Sequence, residues 1–312
     1  TDALKAAAAE AKAAAPMARR QAAENLGRSP DPAAVPLLET LLGDAHPFVR
    51  ATACESLGAL RSRASVPKLS TVLSGDADPR VRQAAAIAFV SIGDAAAAGP
   101  LTGALKDGAA PVRHAAIRAL GKLRAAGAVG ALSAALSDTD AAARKIVAAS
   151  LGEIGSKEAA PALSSALSDA DAGVRGEAAK ALGLIGDAGA RPALANALKD
   201  ADAGVRVQAA TALAKSGDQS GLPVTYAALK SPDATTRQQA ATAVGLVGDA
   251  KGLASLEAAR AVEKDAGVKG VMDFMLAQLH ARLGQPAAIT APSKKAPIKK
   301  NPAKTPAKKV TR

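Results

Sequence analysis

Ser168-Asp169-Ala170-Asp171-Ala172-Gly173-Val174-Arg175 returns 31 residues later as Lys199-Asp200-Ala201-Asp202-Ala203-Gly204-Val205-Arg206. The closing arginine belongs to a series: Arg19, Arg50, Arg82, Arg113, Arg144, Arg175, Arg206 and Arg237, spaced by 31 or 32 residues, with Lys269 in the next place. Self-similarity at such a period means a stack of supersecondary units, each burying its apolar face only against its neighbours.

Residues 161–186 show how one unit is built. Pro161 opens a short helix carrying Leu163 and Leu167, and proline is tolerated there because its missing N–H would go unpaired anyway. Pro36, Pro67, Pro100, Pro192 and Pro223 mark the same place elsewhere. Asp171 is suited to cap a second helix, since its carboxylate can accept from free backbone N–H groups; Asp78, Asp140, Asp202, Asp233 and Asp265 share the slot. Val174, Ala178, Leu182 and Ile185 are spaced to lie on one helical face. Gly186 ends the unit, as Gly93, Gly155, Gly217 and Gly248 end theirs. The pattern predicts an all-α solenoid of about nine antiparallel helix pairs.

Composition fits this body. Of 312 residues only 1% are aromatic, with no Trp and the single Tyr226, so the core must be made of small side chains. A buried methylene contributes about 0.8 kcal/mol, which leaves an Ala-rich unit dependent on stacking. Residues 1–30 are expected to form an N-terminal cap with the first repeat and 31–250 the regular array. Residues 251–284, with the bulkier Met272, Phe274, Met275 and Leu279, are expected to form a divergent C-terminal cap. Beyond Gly284 the apolar period stops, and residues 285–312, rich in Lys, Pro and Ala, are expected to be a disordered tail.

The run Asp-x-x-x-x-x-Arg, Ala-Ala, Leu-Gly-x-Ile-Gly, fullest between Asp169 and Gly186, resembles HEAT-like repeats of the phycobilin-lyase type, over about residues 16–283. The resemblance implies a right-handed superhelix with the second helices on its concave face. It also implies a hydrogen-bonded ladder between adjacent units. In this chain the ladder would use Asp44, Asp76, Asp107, Asp138, Asp169 and Asp200 with Arg50, Arg82, Arg113, Arg144, Arg175, Arg206 and Arg237. The side-chain chemistry agrees, because a guanidinium fork can serve a carboxylate and backbone carbonyls together. A row of arginines reading phosphates would not need the matching aspartates, which weaken the field at a phosphate.

Sites for chemistry are scarce. His46, His114 and His280 have no partner at metal-helix spacing, and the His-Glu pairs of iron-binding HEAT-like hydroxylases are missing, since Pro47, Ala115 and Ala281 follow. There is no phosphate-binding Gly-x-x-x-x-Gly-Lys, and repeat-built DNA glycosylases need aromatic surfaces that this composition lacks. Cys54 stands where other units have Ala86, Ala148, Ala179, Ala210 and Ala241, which marks it as a core residue. No catalytic residue, metal or cofactor is expected; a bilin-lyase-like enzyme remains as a third reading, through resemblance alone.

Two surfaces are candidates for binding. The tail carries Lys294, Lys295, Lys299, Lys300, Lys304, Lys308, Lys309 and Arg312 with no acid, within a chain of net charge +12. Such a segment, similar to linker-histone tails, neutralises phosphates without reading bases. DNA, RNA, anionic lipid and acidic protein are all open to it. The second surface comprises the positions one, two and five residues after each arginine, which change from unit to unit. From it Glu55, Gln83, Ile87, His114, Arg118, Lys145, Ile146, Glu177, Lys180, Gln208, Gln238 and Gln239 are the candidate partner contacts, with Val207 among the isolated apolar members. The expected function is a non-enzymatic scaffold holding a protein or peptide in the groove. The alternative is a nucleic-acid-associated protein whose tail supplies the affinity. No membrane span is expected, and a monomer in the cytoplasm is the expectation. The start at Thr1 leaves a removed leader open.

Overall fold

The computed structural model describes residues 2–284, and the tail read for residues 285–312 lies outside them. Eighteen α-helices form nine consecutive pairs, and no strand occurs among the described residues. The first three pairs are α1 (Asp2–Glu10) with α2 (Pro16–Leu26), α3 (Ala34–Leu41) with α4 (Pro47–Ala59), and α5 (Val66–Gly75) with α6 (Pro79–Ile92). The next three are α7 (Ala98–Gly103) with α8 (Ala110–Lys122), α9 (Val129–Ala135) with α10 (Ala141–Ile154), and α11 (Ala160–Ala166) with α12 (Ala172–Ile185). The last three are α13 (Arg191–Ala197) with α14 (Ala203–Lys215), α15 (Leu222–Ala228) with α16 (Ala234–Val247), and α17 (Ala250–Val262) with α18 (Ala266–Leu283). The chain is an all-α solenoid.

Local chemistry sets the helix ends. Asp171 accepts from the backbone N–H of Val174 at 3.0 Å, and Asp78, Asp140, Asp202, Asp233 and Asp265 likewise cap the second helices of their units. Gly93, Gly155 and Gly186 close α6, α10 and α12 in the left-handed region. Gly248 does not join them: its φ is −58°, and the chain leaves α16 extended toward the longer α17. Arg61 and Arg124 occupy the glycine's place in two other units and adopt φ of 52° and 48°.

The second helices pack on one another along the array far more extensively than the first helices do, so they form the shorter, inner side of the stack. Small residues permit this approach. A Cβ added to Gly183 would lie 2.8 Å from the Cα of Ala212, and one added to Gly58 would lie 3.0 Å from the Cα of Ala88. Val90 and Ala214 stand where this glycine is expected, and there α6–α8 and α14–α16 pack less extensively than the flanking junctions.

One hydrophobic cluster runs from Ala7 to Leu213, built almost wholly of Ala, Val and Leu around Phe89, the bulkiest fully buried side chain. The cluster ends there. A small group of Ala214, Leu222, Ala243 and Val247 follows, and a separate one from Leu229 to Leu279 holds the last two units.

Candidate functional site

The arginine series lies in the first turn of each second helix, beside the turn that joins the two helices of its unit. Arg175 shows the geometry: Nε donates to Asp200 Oδ2 at 2.7 Å and Nη2 to Oδ1 at 2.8 Å, while Nη1 reaches the carbonyls of Asp169 and Ala170. The same fork joins Arg19 to Asp44, Arg50 to Asp76, Arg82 to Asp107, Arg113 to Asp138 and Arg144 to Asp169. Each aspartate also accepts a backbone N–H two residues on, as Asp200 does from Asp202 at 2.8 Å. One rung therefore ties the turn of its own unit to the turn of the next through a bidentate, charge-assisted contact.

The titration of the acids follows from these donors. Hydrogen bonds from the arginines, foremost, hold Asp44, Asp107, Asp169 and Asp200 below the usual aspartate range. Burial pushes Asp76 and Asp138 upward, yet arginine and backbone donors leave them lowered as well.

Two rungs differ from the sequence expectation. Arg237 grips Glu263, through Nε at 2.6 Å and Nη2 at 2.8 Å, and these bonds push the glutamate down to about 2. A glutamate falls outside an aspartate motif, and only its offset of 26 residues from the arginine pointed to it. Arg206 departs further. Its Nη1 donates to the carbonyls of Asp200 and Ala201 at 2.8 and 2.9 Å, but its Nε and Nη2 meet no acceptor among the described residues. Ser231 stands 25 residues on, where an aspartate was required, and its Oγ is occupied as acceptor from the Asp233 N–H at 3.2 Å. Arg206 was expected in the ladder and holds its place in the series, but it pairs with no carboxylate among the described residues.

The variable face is more selective than its sequence pattern. Glu55, Ile87, Arg118, Lys145, Lys180 and Gln238 are exposed, and Gln83, His114, Ile146, Glu177, Gln208 and Gln239 are half-buried. His114 is committed to Asp140 at 2.7 Å, and Lys180 to Glu177 at 2.8 Å. Val207, read as an exposed apolar member, is buried at 2%, and the neighbouring stripe position Thr211 is buried with its hydroxyl on the Val207 carbonyl. Both turn inward at α14, where the adjoining units carry exposed or half-buried side chains. The position nine residues after each arginine was missed. Lys122, Glu153, Leu184, Lys215 and Leu246 occupy it, and all are exposed. One further helical turn from the fifth position would have found them. Ile87 and Leu184 are each about half exposed, at 50% and 53%, and Lys122 meets Glu153 at 2.8 Å between units.

Among the described residues no group of three His, Cys, Asp or Glu could hold a metal ion. Cys54 is buried, and burial pushes its thiol up to about 12, so it carries little thiolate at neutral pH. No helix among the described residues is long and apolar enough to cross a membrane.

Paired helices, a shared small-residue core and an inter-unit arginine ladder define an α-solenoid repeat protein. The model of HEAT repeats matches residues 1–89, 66–148, 129–206 and 191–273, and the chain belongs to that family. Among solved structures it is similar to YibA of Escherichia coli, with 22% identity over 86% of this chain and 97% of that one, at a TM-score of 0.58; this likeness is one of fold. It also matches the CpcE–CpcF complex of phycocyanin lyase from Nostoc, with 26% identity over 71% of this chain and 91% of that one, at a TM-score of 0.44. Human deoxyhypusine hydroxylase matches with 23% identity over 78% of this chain and 96% of that one, at a TM-score of 0.38. No curated protein matches the chain significantly in sequence.

Proposed function

We propose that the chain is a non-enzymatic interaction scaffold that holds a protein or peptide along its second helices, and that the Lys-rich tail tethers the complex to a polyanion. One observation carries this reading. Along an inner layer otherwise largely given to packing, the stripe varies from unit to unit and keeps exposed members at Glu55, Ile87, Arg118, Lys180 and Gln238, while it turns inward at α14. A constant frame with one variable stripe is how repeat proteins present extended binding surfaces. The stripe mixes both charges with isolated apolar groups such as Ile87 and Leu184, which suits a folded or peptide partner better than a phosphate backbone.

The second reading, a nucleic-acid-associated protein, draws on the tail, where eight cations stand without an acid between Lys294 and Arg312. Both readings place DNA affinity in the tail, so duplex binding by the full chain and by residues 1–284 across a salt series tests the tail, and capture of a protein partner by the stripe divides the two. The scaffold reading expects all DNA affinity to vanish with the tail and the full chain to lose affinity steeply with salt. Tight DNA binding by residues 1–284 overturns the account of the stripe. Affinity capture with Ile87→Asp and Leu184→Asp as controls tests the stripe itself, since both changes lie on exposed positions and should remove a partner without lowering the melting temperature.

A further inference from the structure

The interruption of the ladder at Arg206 coincides with a cleft. About 510 Å³ of open space lies between α14 and α15, lined by Arg206, Val207, Val224, Ser231 and Thr236. In six other units the Nε and Nη2 edge of this arginine faces an aspartate; in the unit of Arg237 it faces a glutamate. In Arg206 the edge keeps the backbone bonds that aim it, through Nη1 to Asp200 and Ala201, and has no carboxylate to receive it among the described residues. A guanidinium held by one nitrogen and open along its bidentate edge is preorganised for a planar carboxylate.

The surroundings favour the same charge. Ser231 and Ala227 also border a larger cleft of about 880 Å³ between α15 and α17. Lys230, Lys251 and Lys264 line it, and none forms a salt bridge among the described residues; Lys251 lies over the Tyr226 ring at 5.7 Å. Arg237 and Glu263 in that cleft neutralise each other. The two clefts adjoin at Ala227 and Ser231, with Arg206 lining one and Lys230, Lys251 and Lys264 lining the other.

We propose that these adjoining clefts are a docking site for an acidic peptide segment of a protein partner, with one Asp or Glu side chain completing the Arg206 rung and further acidic residues meeting Lys230, Lys251 and Lys264. The site lies along the helix-joining turns and the first helices α15 and α17 and shares only the buried Val207 with the second-helix stripe, so either surface can fail without the other. The chain's own geometry supplies the blocking variant. Ser231→Asp places a carboxylate at the 25-residue offset used by Arg175 and Asp200, and it should fill the edge from within.

The test uses the full chain and a blocked peptide of alternating aspartate and alanine, with an alanine–serine peptide and inorganic phosphate as comparators. Binding is followed by titration and by the Arg206 Nε–Hε resonance, assigned with Arg206→Gln. The expected result is a saturable Arg206 shift with the acidic peptide only. Ser231→Asp should show the engaged resonance without peptide and bind the peptide at least tenfold more weakly. Equal affinity in the wild-type chain and Ser231→Asp, or binding that leaves Arg206 unshifted, places the peptide on other lysines and overturns the proposal. A phosphate response matching that of the peptide overturns carboxylate recognition.

Discussion

The seven units up to α14 and the two after it are built to the same plan and held together differently. In the first region one apolar cluster is continuous from Ala7 to Leu213, and six rungs join successive turns. At the start of the second, the cluster divides, the glycine at the close approach is Ala214, and Arg206 has no carboxylate. These losses fall on one junction. In a stacked array stability is a sum of unit and interface contributions, so the weakest interface decides where the array first parts. The last two units compensate with larger side chains: Met272 is fully buried, and Arg282 reaches back from α18 to the carbonyl of Leu246 at 2.8 Å.

Acid should separate the regions most strongly. A carboxylate whose folded pKa lies below its unfolded value of about 4 contributes stability above that value and loses it as pH falls through the folded one. The rung carboxylates are all lowered, Glu263 to about 2, so melting should be flat above about pH 5 and fall between about pH 4 and 2. Six of the seven rungs precede Arg206, so hydrogen exchange at low pH should show the larger loss of protection there. Equal loss in both regions would remove the ladder as the cause.

Close packing gives the next effect. Gly183→Leu drives a side chain into the α14 backbone and should destabilise by about 3 kcal/mol, whereas Ala214→Leu, at the looser junction, should cost less; denaturant midpoints compare them. The guanidinium is tested in the same paired way. Arg175→Ala strands the Asp200 carboxylate and should cost about 2 kcal/mol, but Arg206→Ala removes only two bonds to carbonyls and should cost under about 1 kcal/mol. Similar losses at both sites would mean that the backbone contacts, not the carboxylate, carry the ladder. The smallest change is a gain. Arg124→Gly relieves a left-handed non-glycine residue and should raise stability by up to about 1 kcal/mol, read as a higher melting temperature.

Much of this was legible in the sequence, because a repeat compares each position with its own copies. The period gave nine helix pairs, and the recurring Asp and Pro marked where second helices begin. The legible part ended where a copy deviates. Ser231 keeps the backbone-capping half of the aspartate's work and drops the other half, so it passes as an ordinary turn residue in a linear reading. Val207 alternates with polar residues in other copies, yet α14 turns it inward. The exposed position at Lys122, Glu153 and Leu184 lies beyond the three positions whose variation marked the stripe, one helical turn after the fifth.

The small residue that faces the next unit also bears on the curvature of the stack. Where it is glycine, there is no room for a Cβ against the next second helix; where it is Val90 or Ala214, the two second helices pack less extensively. Added thickness on the inner layer, with the outer layer unchanged, acts as a wedge and straightens the arc at that step. By that reasoning the curvature of the stack should respond to the size of this one residue, step by step along the inner layer.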